Sequence, residues 1–303
     1  MKTVKRRPSR TGQLYQKSSE QVEETLAIWE RLPLFQRRLF LRKMGMPRSF
    51  YKYRTIPDVS DATGRARLED LLLNNRLWMG TVLTFNDPFE GQADYVVPYR
   101  GAELRRAFER KYREMGFSSE AAKMKVNSAD VADPKRLEQR ARDGNLKILG
   151  TVGVCALATN ARSALLWAHY TREHTGICVL LRPVMDLRAL IAHKVEYSDT
   201  YPIQNDLLEP AEKRKNVPIM RKSKVWEYEA EWRIVALSAP NTHRSFAPEA
   251  MGAVILGMRI SDADKAYVLD LMDERQRLYG IQPVVYAATA AQQRYRVDIR
   301  RLR

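Results

Sequence analysis

Residues 224–237 (KVWEYEAEWRIVAL) concentrate side chains that could do chemistry: Glu227, Glu229, Glu231 and Arg233, set among Trp226, Tyr228 and Trp232. Bulky aromatic and β-branched residues favour a strand, in which successive side chains alternate between faces. That reading puts Glu227, Glu229 and Glu231 on one face and Trp226, Tyr228, Ala230 and Trp232 on the other. Three carboxylates on one face repel one another unless they line a polar cleft or meet cations. The stretch is therefore the first candidate for the centre of a site. Glu231 is its catalytic carboxylate, Glu229 the supporting one and Glu227 an exposed position near the strand's start. The two tryptophans anchor the strand in the core.

A dispersed set of polar and aromatic residues accompanies it: Lys52, Tyr53 and Arg54; Asn86 and Asp87; Trp167, His169 and Tyr170; and His174. Asn86-Asp87-Pro88, between Phe85 and Phe89, marks a turn, because both polar side chains can bond local backbone and proline fixes φ. It reads equally as a structural turn or as a site loop. His169 and His174 are five residues apart, whereas zinc-binding pairs on a helix are usually four apart. Adding Cys178 leaves the set short of a ligand, so no metal is expected. Phosphate-binding glycine loops, a Gly-x-Ser-x-Gly elbow and a basic setting for Cys155 are missing. So are the RNA-recognition, helix-turn-helix and zinc-finger signatures. Aromatic rings beside cations and carboxylates suit an aromatic, phosphorylated ligand, such as a nucleotide.

These residues must be held by a framework whose class composition bounds. The 303 residues are 45% hydrophobic and 29% charged, as expected of a globular protein with ample material for a core. No window approaches a membrane span, no secretory signal is visible, and two cysteines (Cys155, Cys178) give no disulfide framework. A cytoplasmic protein is the expectation. The net charge is +16, and residues 1–50 supply half of it, with twelve Lys/Arg against four Asp/Glu. A second basic concentration lies at 105–125. Such charge attracts polyanions, nucleic acid included, through a salt-dependent term.

Along the chain, 1–17 reads as a disordered basic tail and 18–49 as a helical extension broken at Pro33. The apolar stripe Leu34, Phe35, Leu39, Phe40 and Leu41 is expected to pack on this protein itself. From residue 50 a single α+β domain is expected, with a mixed, largely antiparallel central sheet and flanking helices. Strands are expected at 50–56, 147–158, 176–181, 195–197, 253–256, 282–287 and 295–299, and short helices at 67–74 and 164–171. A long helix over 260–279 is capped by Ser261. Residues 101–145 read as a helical insertion, with a charged helix at 102–115 and weakly patterned sequence after it. Residues 211–222 read as a basic linker or helix.

Five motifs then line up in one order: Tyr51-Lys-Tyr-Arg54, Leu77-Trp78, Phe85–Glu90, Leu166–Tyr170 with His174-x-Gly176-x-Cys178, and Lys224–Arg233. In that order they resemble a bacterial and phage family, domain of unknown function 2971, over about residues 50–303. The resemblance helps with boundaries more than with activity. By layout, the chain is also similar to ADP-ribosyltransferase folds. These carry an Arg or His on the first strand, a Ser or Tyr on a middle element and a Glu at the entry of a later strand. Arg54 would match the first, Tyr170 or Ser163 the second, and Glu231 the third. That resemblance implies NAD, with the Glu bonding a ribose hydroxyl, the Arg clamping the pyrophosphate and aromatics around the nicotinamide. Lys52 shares a strand face with Arg54 and competes for the role. Glu229 and Glu231 could instead pair with Arg233, Lys224 or Arg54 as structure. Two other readings stand beside the transferase: a nucleic-acid-interacting or nuclease-like protein of a defence or mobile-element system, and a non-catalytic nucleotide sensor.

Overall fold

The computed structural model describes residues 19–128, 133–205 and 218–303. The expected tail 1–17 and residues 211–217 of the expected linker lie outside them. The chain divides into two compact units, where the sequence reads as one domain with an insertion. Unit 1 takes the described residues up to Gly80, Gly153–Val195 and Val225–Arg303; unit 2 takes the described residues of Thr81–Val152 and Glu196–Lys224.

Unit 1 is built on a five-stranded sheet in the order Phe50–Arg54, Ile177–Leu181, Met251–Leu256, Val284–Ala290 and Val297–Arg301. Neighbours are antiparallel except the Met251–Leu256/Val284–Ala290 pair, which is parallel. A parallel pair needs a crossover, and the Asp262–Tyr279 helix supplies it. Ser261 Oγ accepts from the Asp264 N–H at 3.1 Å at that helix's start, and Gly280, at φ 66°, ends it. The Ile177–Leu181 strand, paired on both sides, is an almost unbroken buried apolar run. This is the expected α+β class, a mixed and largely antiparallel sheet with flanking helices.

A second, three-stranded sheet runs Val152–Leu157, Trp232–Leu237, His193–Lys194, and Thr242–Ser245 pairs with Arg76–Met79. The Ser19–Glu30 and Leu34–Lys43 helices bury Leu26, Trp29 and Leu41 in the same core as the sheet. The expectation for their apolar stripe holds only in part. Leu41 is buried and Phe40 partly so, but Leu34, Phe35 and Leu39 are exposed.

Unit 2 holds the Gly101–Glu114, Ser119–Ser128 and Pro134–Gly150 helices. The weakly patterned segment expected after 115 is thus mostly helical, and the strand expected from 147 begins at Val152. Asp133 decides this locally. Its Oδ1 accepts from the Lys135 and Arg136 amides at 3.0 and 3.4 Å, and Pro134 occupies the first turn, where its missing N–H costs nothing. Two short parallel ladders complete the unit: Asp94–Tyr95 with Ile203–Gln204, and Glu196–Ser198 with Arg221–Ser223. No described helix is long and apolar enough to cross a membrane.

Candidate functional site

Residues 224–237 do not form one strand. Lys224–Glu229 is a 3₁₀ helix, Ala230 sits in the left-handed region at φ 45°, and the strand begins only at Trp232. Three residues per turn and then a left-handed step replace the period-2 alternation, so Glu227, Glu229 and Glu231 do not share a face. Glu227 is exposed, as expected, while Glu229 and Glu231 are buried. Backbone bonds hold the step, with Ala230 N–H donating to the Glu227 carbonyl at 3.1 Å and Val195 N–H to the Glu231 carbonyl at 3.0 Å.

The two buried carboxylates have different partners. Arg233 Nε donates to Glu231 Oε1 at 2.7 Å and Nη2 to Oε2 at 3.3 Å, with Arg233 fully buried and Glu231 4% exposed. That is a two-point ion pair between residues two apart at the strand's entry, and it commits Glu231 to the arginine. Across the ladder from Arg233 lies His193, whose pKa burial pulls down to about 4, so its ring is neutral at neutral pH. Sequence reasoning passed over His193, since a lone histidine before a short strand carries no signal. Glu229, 3% exposed, instead accepts from the Tyr170 hydroxyl at 2.6 Å.

Tyr170 ties that carboxylate to a cluster of rings. The His169 ring lies 6.5 Å from Tyr170, 6.2 Å from Trp226 and 6.4 Å from Tyr228, and Trp226 lies 6.0 Å from Tyr228. His169 and Tyr228 are exposed and Trp226 half-buried. Trp226 is therefore not the core anchor expected; Trp232 is, buried against Phe50 at 5.7 Å. The Ala164–Tyr170 helix presents His169 and Tyr170, capped by Ser163 Oγ, which accepts from the Leu166 N–H at 3.4 Å. Ser163 is thus occupied as a cap.

The remaining expected residues of unit 1 serve the framework. Lys52 Nζ donates to the Ala156 carbonyl at 2.8 Å. The Tyr53 hydroxyl donates to the Asn160 carbonyl at 2.7 Å, and its ring meets the fully buried Trp167 edge-on at 5.3 Å. Trp167 Nε1 donates to the Ala161 carbonyl at 2.8 Å, and His174 stacks on its ring at 6.3 Å. Burial, then Arg259, holds the His174 pKa below the usual value. Cys178 is fully buried beside Tyr53, and burial pushes its thiol pKa up.

Arg54 forms no ion pair among the described residues. Burial lowers its pKa, with Cys155 opposing that shift and Arg67 adding to it. The contacts thus assemble Tyr170 with Glu229 and Glu231 with Arg233. The three-residue convergence implied by the transferase layout is not what these contacts build.

In unit 2, Asn86 is exposed and Asp87 buried. Asp87 Oδ1 accepts from the Phe89 N–H at 2.9 Å, while Oδ2 is buried without a hydrogen-bond partner among the described residues. Among the described residues no three His, Cys, Asp or Glu side chains gather as a metal-ligand set.

The chain matches no family model, no curated protein and no solved structure. Its chemistry has to be read from the site itself. The rings of His169, Trp226 and Tyr228 can receive a flat, electron-poor group, and Tyr170 with Glu229 can hold polar substituents beside it.

Proposed function

We propose that this protein binds a nucleotide of the nicotinamide type through unit 1, with the base on the His169, Trp226 and Tyr228 rings. The observation that carries the reading is Tyr170, whose ring joins the exposed cluster and whose hydroxyl is bonded to Glu229 at 2.6 Å. Electron-rich faces of Trp and Tyr attract a cationic pyridinium through the ring quadrupole, which favours NAD over a neutral purine. The net charge of +16 favours the phosphates of any such ligand. If the bound dinucleotide is turned over as in ADP-ribosyl transfer, the carboxylate beside the departing nicotinamide is Glu229, because Glu231 is committed to Arg233. The resemblance to domain of unknown function 2971 is compatible with either a sensor or a transferase.

Titration with NAD, ADP-ribose and ATP, followed by tryptophan fluorescence, tests the proposal. NAD is expected to bind most tightly, and Trp226→Ala to weaken it about tenfold, as the loss of a cation–π platform with its desolvated contact predicts. Nicotinamide release measured on the same samples separates the two forms of the reading. Release abolished by Glu229→Gln, with the ADP-ribosyl group recovered on a protein or nucleic-acid acceptor rather than on water, identifies a transferase, and binding without release a sensor. No binding of any of the three at about 1 mM would sink the proposal.

A further inference from the structure

Unit 2 contains a cavity of about 500 Å³, within the range of small-molecule sites. Its wall draws on the turn at 85–91, the start of the Asp94–Tyr95 strand, the loop after Glu196–Ser198 and the Arg221–Ser223 strand. The turn is fixed from both sides. Asp87 Oδ1 holds the Phe89 amide, and Glu90 is buried in an ion pair with Lys222 at 3.0 Å. The result is a phenylalanine ring 62% exposed at the cavity, presented by a turn that buries its own polar neighbours. Tyr201, 39% exposed, adds a second ring.

The charges of the lining select the ligand. Arg221 already pairs with Glu196 at 2.8 Å and Lys222 with Glu90, so neither offers an uncommitted cation to a phosphate, and the second lining carboxylate, Asp199, pairs with Lys224 at 3.6 Å. Asp94 is exposed and has no ion-pair partner among the described residues, and its carboxylate repels an anion while accepting hydrogen bonds from hydroxyls. Gln92, Ser198, Thr200 and Ser223 add groups that both donate and accept. An ammonium ligand needs acceptors only. A ligand whose groups both donate and accept, and which has an apolar face for an aromatic ring, is a carbohydrate.

We propose that this cavity in unit 2 binds a small neutral sugar, stacked on Phe89 and hydrogen-bonded to Asp94. The proposal does not depend on nucleotide binding by unit 1. The test is calorimetry on the full-length protein with glucose, N-acetylglucosamine and ribose, with putrescine and inorganic phosphate as separate arms. At least one sugar is expected to bind. Asp94→Asn should weaken it about tenfold, through loss of a charged acceptor, and Phe89→Ala about fivefold, through loss of the ring. Both side chains are exposed, so the variants should melt at the wild-type temperature. Three results would each overturn the proposal. They are binding of putrescine or phosphate alone, sugar affinity unchanged in either variant, and no response to any sugar at about 10 mM, where a ligand of about 1 mM affinity nears saturation.

Discussion

A guanidinium shut away from solvent destabilises a fold by several kcal/mol unless a carboxylate meets it, and Arg233 has Glu231 at 2.7 Å. Removing one partner leaves the other charge buried. Arg233→Met alone is therefore expected to lower stability by about 3–5 kcal/mol in urea unfolding, while Arg233→Met with Glu231→Leu recovers most of that loss. A loss below about 1 kcal/mol in the single variant would mean that the pair is not what satisfies Glu231. This matters for any assay of activity. Glu231→Gln mixes loss of folding with loss of chemistry, whereas Glu229 can be tested beside the conservative Tyr170→Phe, which removes only the hydroxyl that bonds it. The residue types at these positions were legible in the sequence. Their partners were not, because the left-handed φ of Ala230 decides which way each carboxylate turns, and alanine gives no warning of it.

At the scale of elements, the link between the Ala164–Tyr170 helix and the Ile177–Leu181 strand is unusual. Arg172, Glu173 and His174 all have positive φ, at 47°, 57° and 70°. Each such residue costs about 1–2 kcal/mol relative to right-handed backbone. Backbone bonds hold the link in place, from Glu173 N–H to the Ala168 carbonyl at 3.1 Å, His174 N–H to the Trp167 carbonyl at 3.2 Å and Arg259 N–H to the His174 carbonyl at 3.1 Å. Glu173→Gly is expected to stabilise unit 1 by about 1 kcal/mol, seen as a rise in Tm, since glycine adopts this region without a Cβ clash. The side chain it removes makes an exposed 3.6 Å pair with Arg259, worth little. A fall in Tm would show that the link is relaxed despite its angles.

Elements with strong local signals were legible: the Ser261-capped helix, the apolar Ile177–Leu181 strand and the short helix at 164. The Ser119–Ser128 and Pro134–Gly150 helices were not, because their apolar residues are too sparse to set a period. The 3₁₀ helix at 224–229 was hidden for another reason. Valine, tryptophan and tyrosine suit a strand by propensity, and tertiary context overrode it.

At the scale of the whole chain, unit 2 is assembled from two excursions out of unit 1, at Thr81–Val152 and Glu196–Lys224. The five-stranded sheet of unit 1 begins at Phe50 and closes only with Val297–Arg301. Non-local pairings of this kind pay their loop-closure entropy before contacts repay it, and they form slowly. The two units therefore mature at different moments on a translating ribosome. All of unit 2 has left the exit tunnel well before the last two strands of the sheet have been made. A chain truncated after residue 283 should keep amide protection in the Gly101–Glu114 helix and lose it in Ile177–Leu181, as read by hydrogen exchange. Loss in both at once would make the units a single cooperative body. The later-finished unit waits with the Met251–Leu256 edge of its sheet unpaired, so the exposure of the nascent chain to misassembly belongs to unit 1 and to the interval before its C-terminal strands arrive.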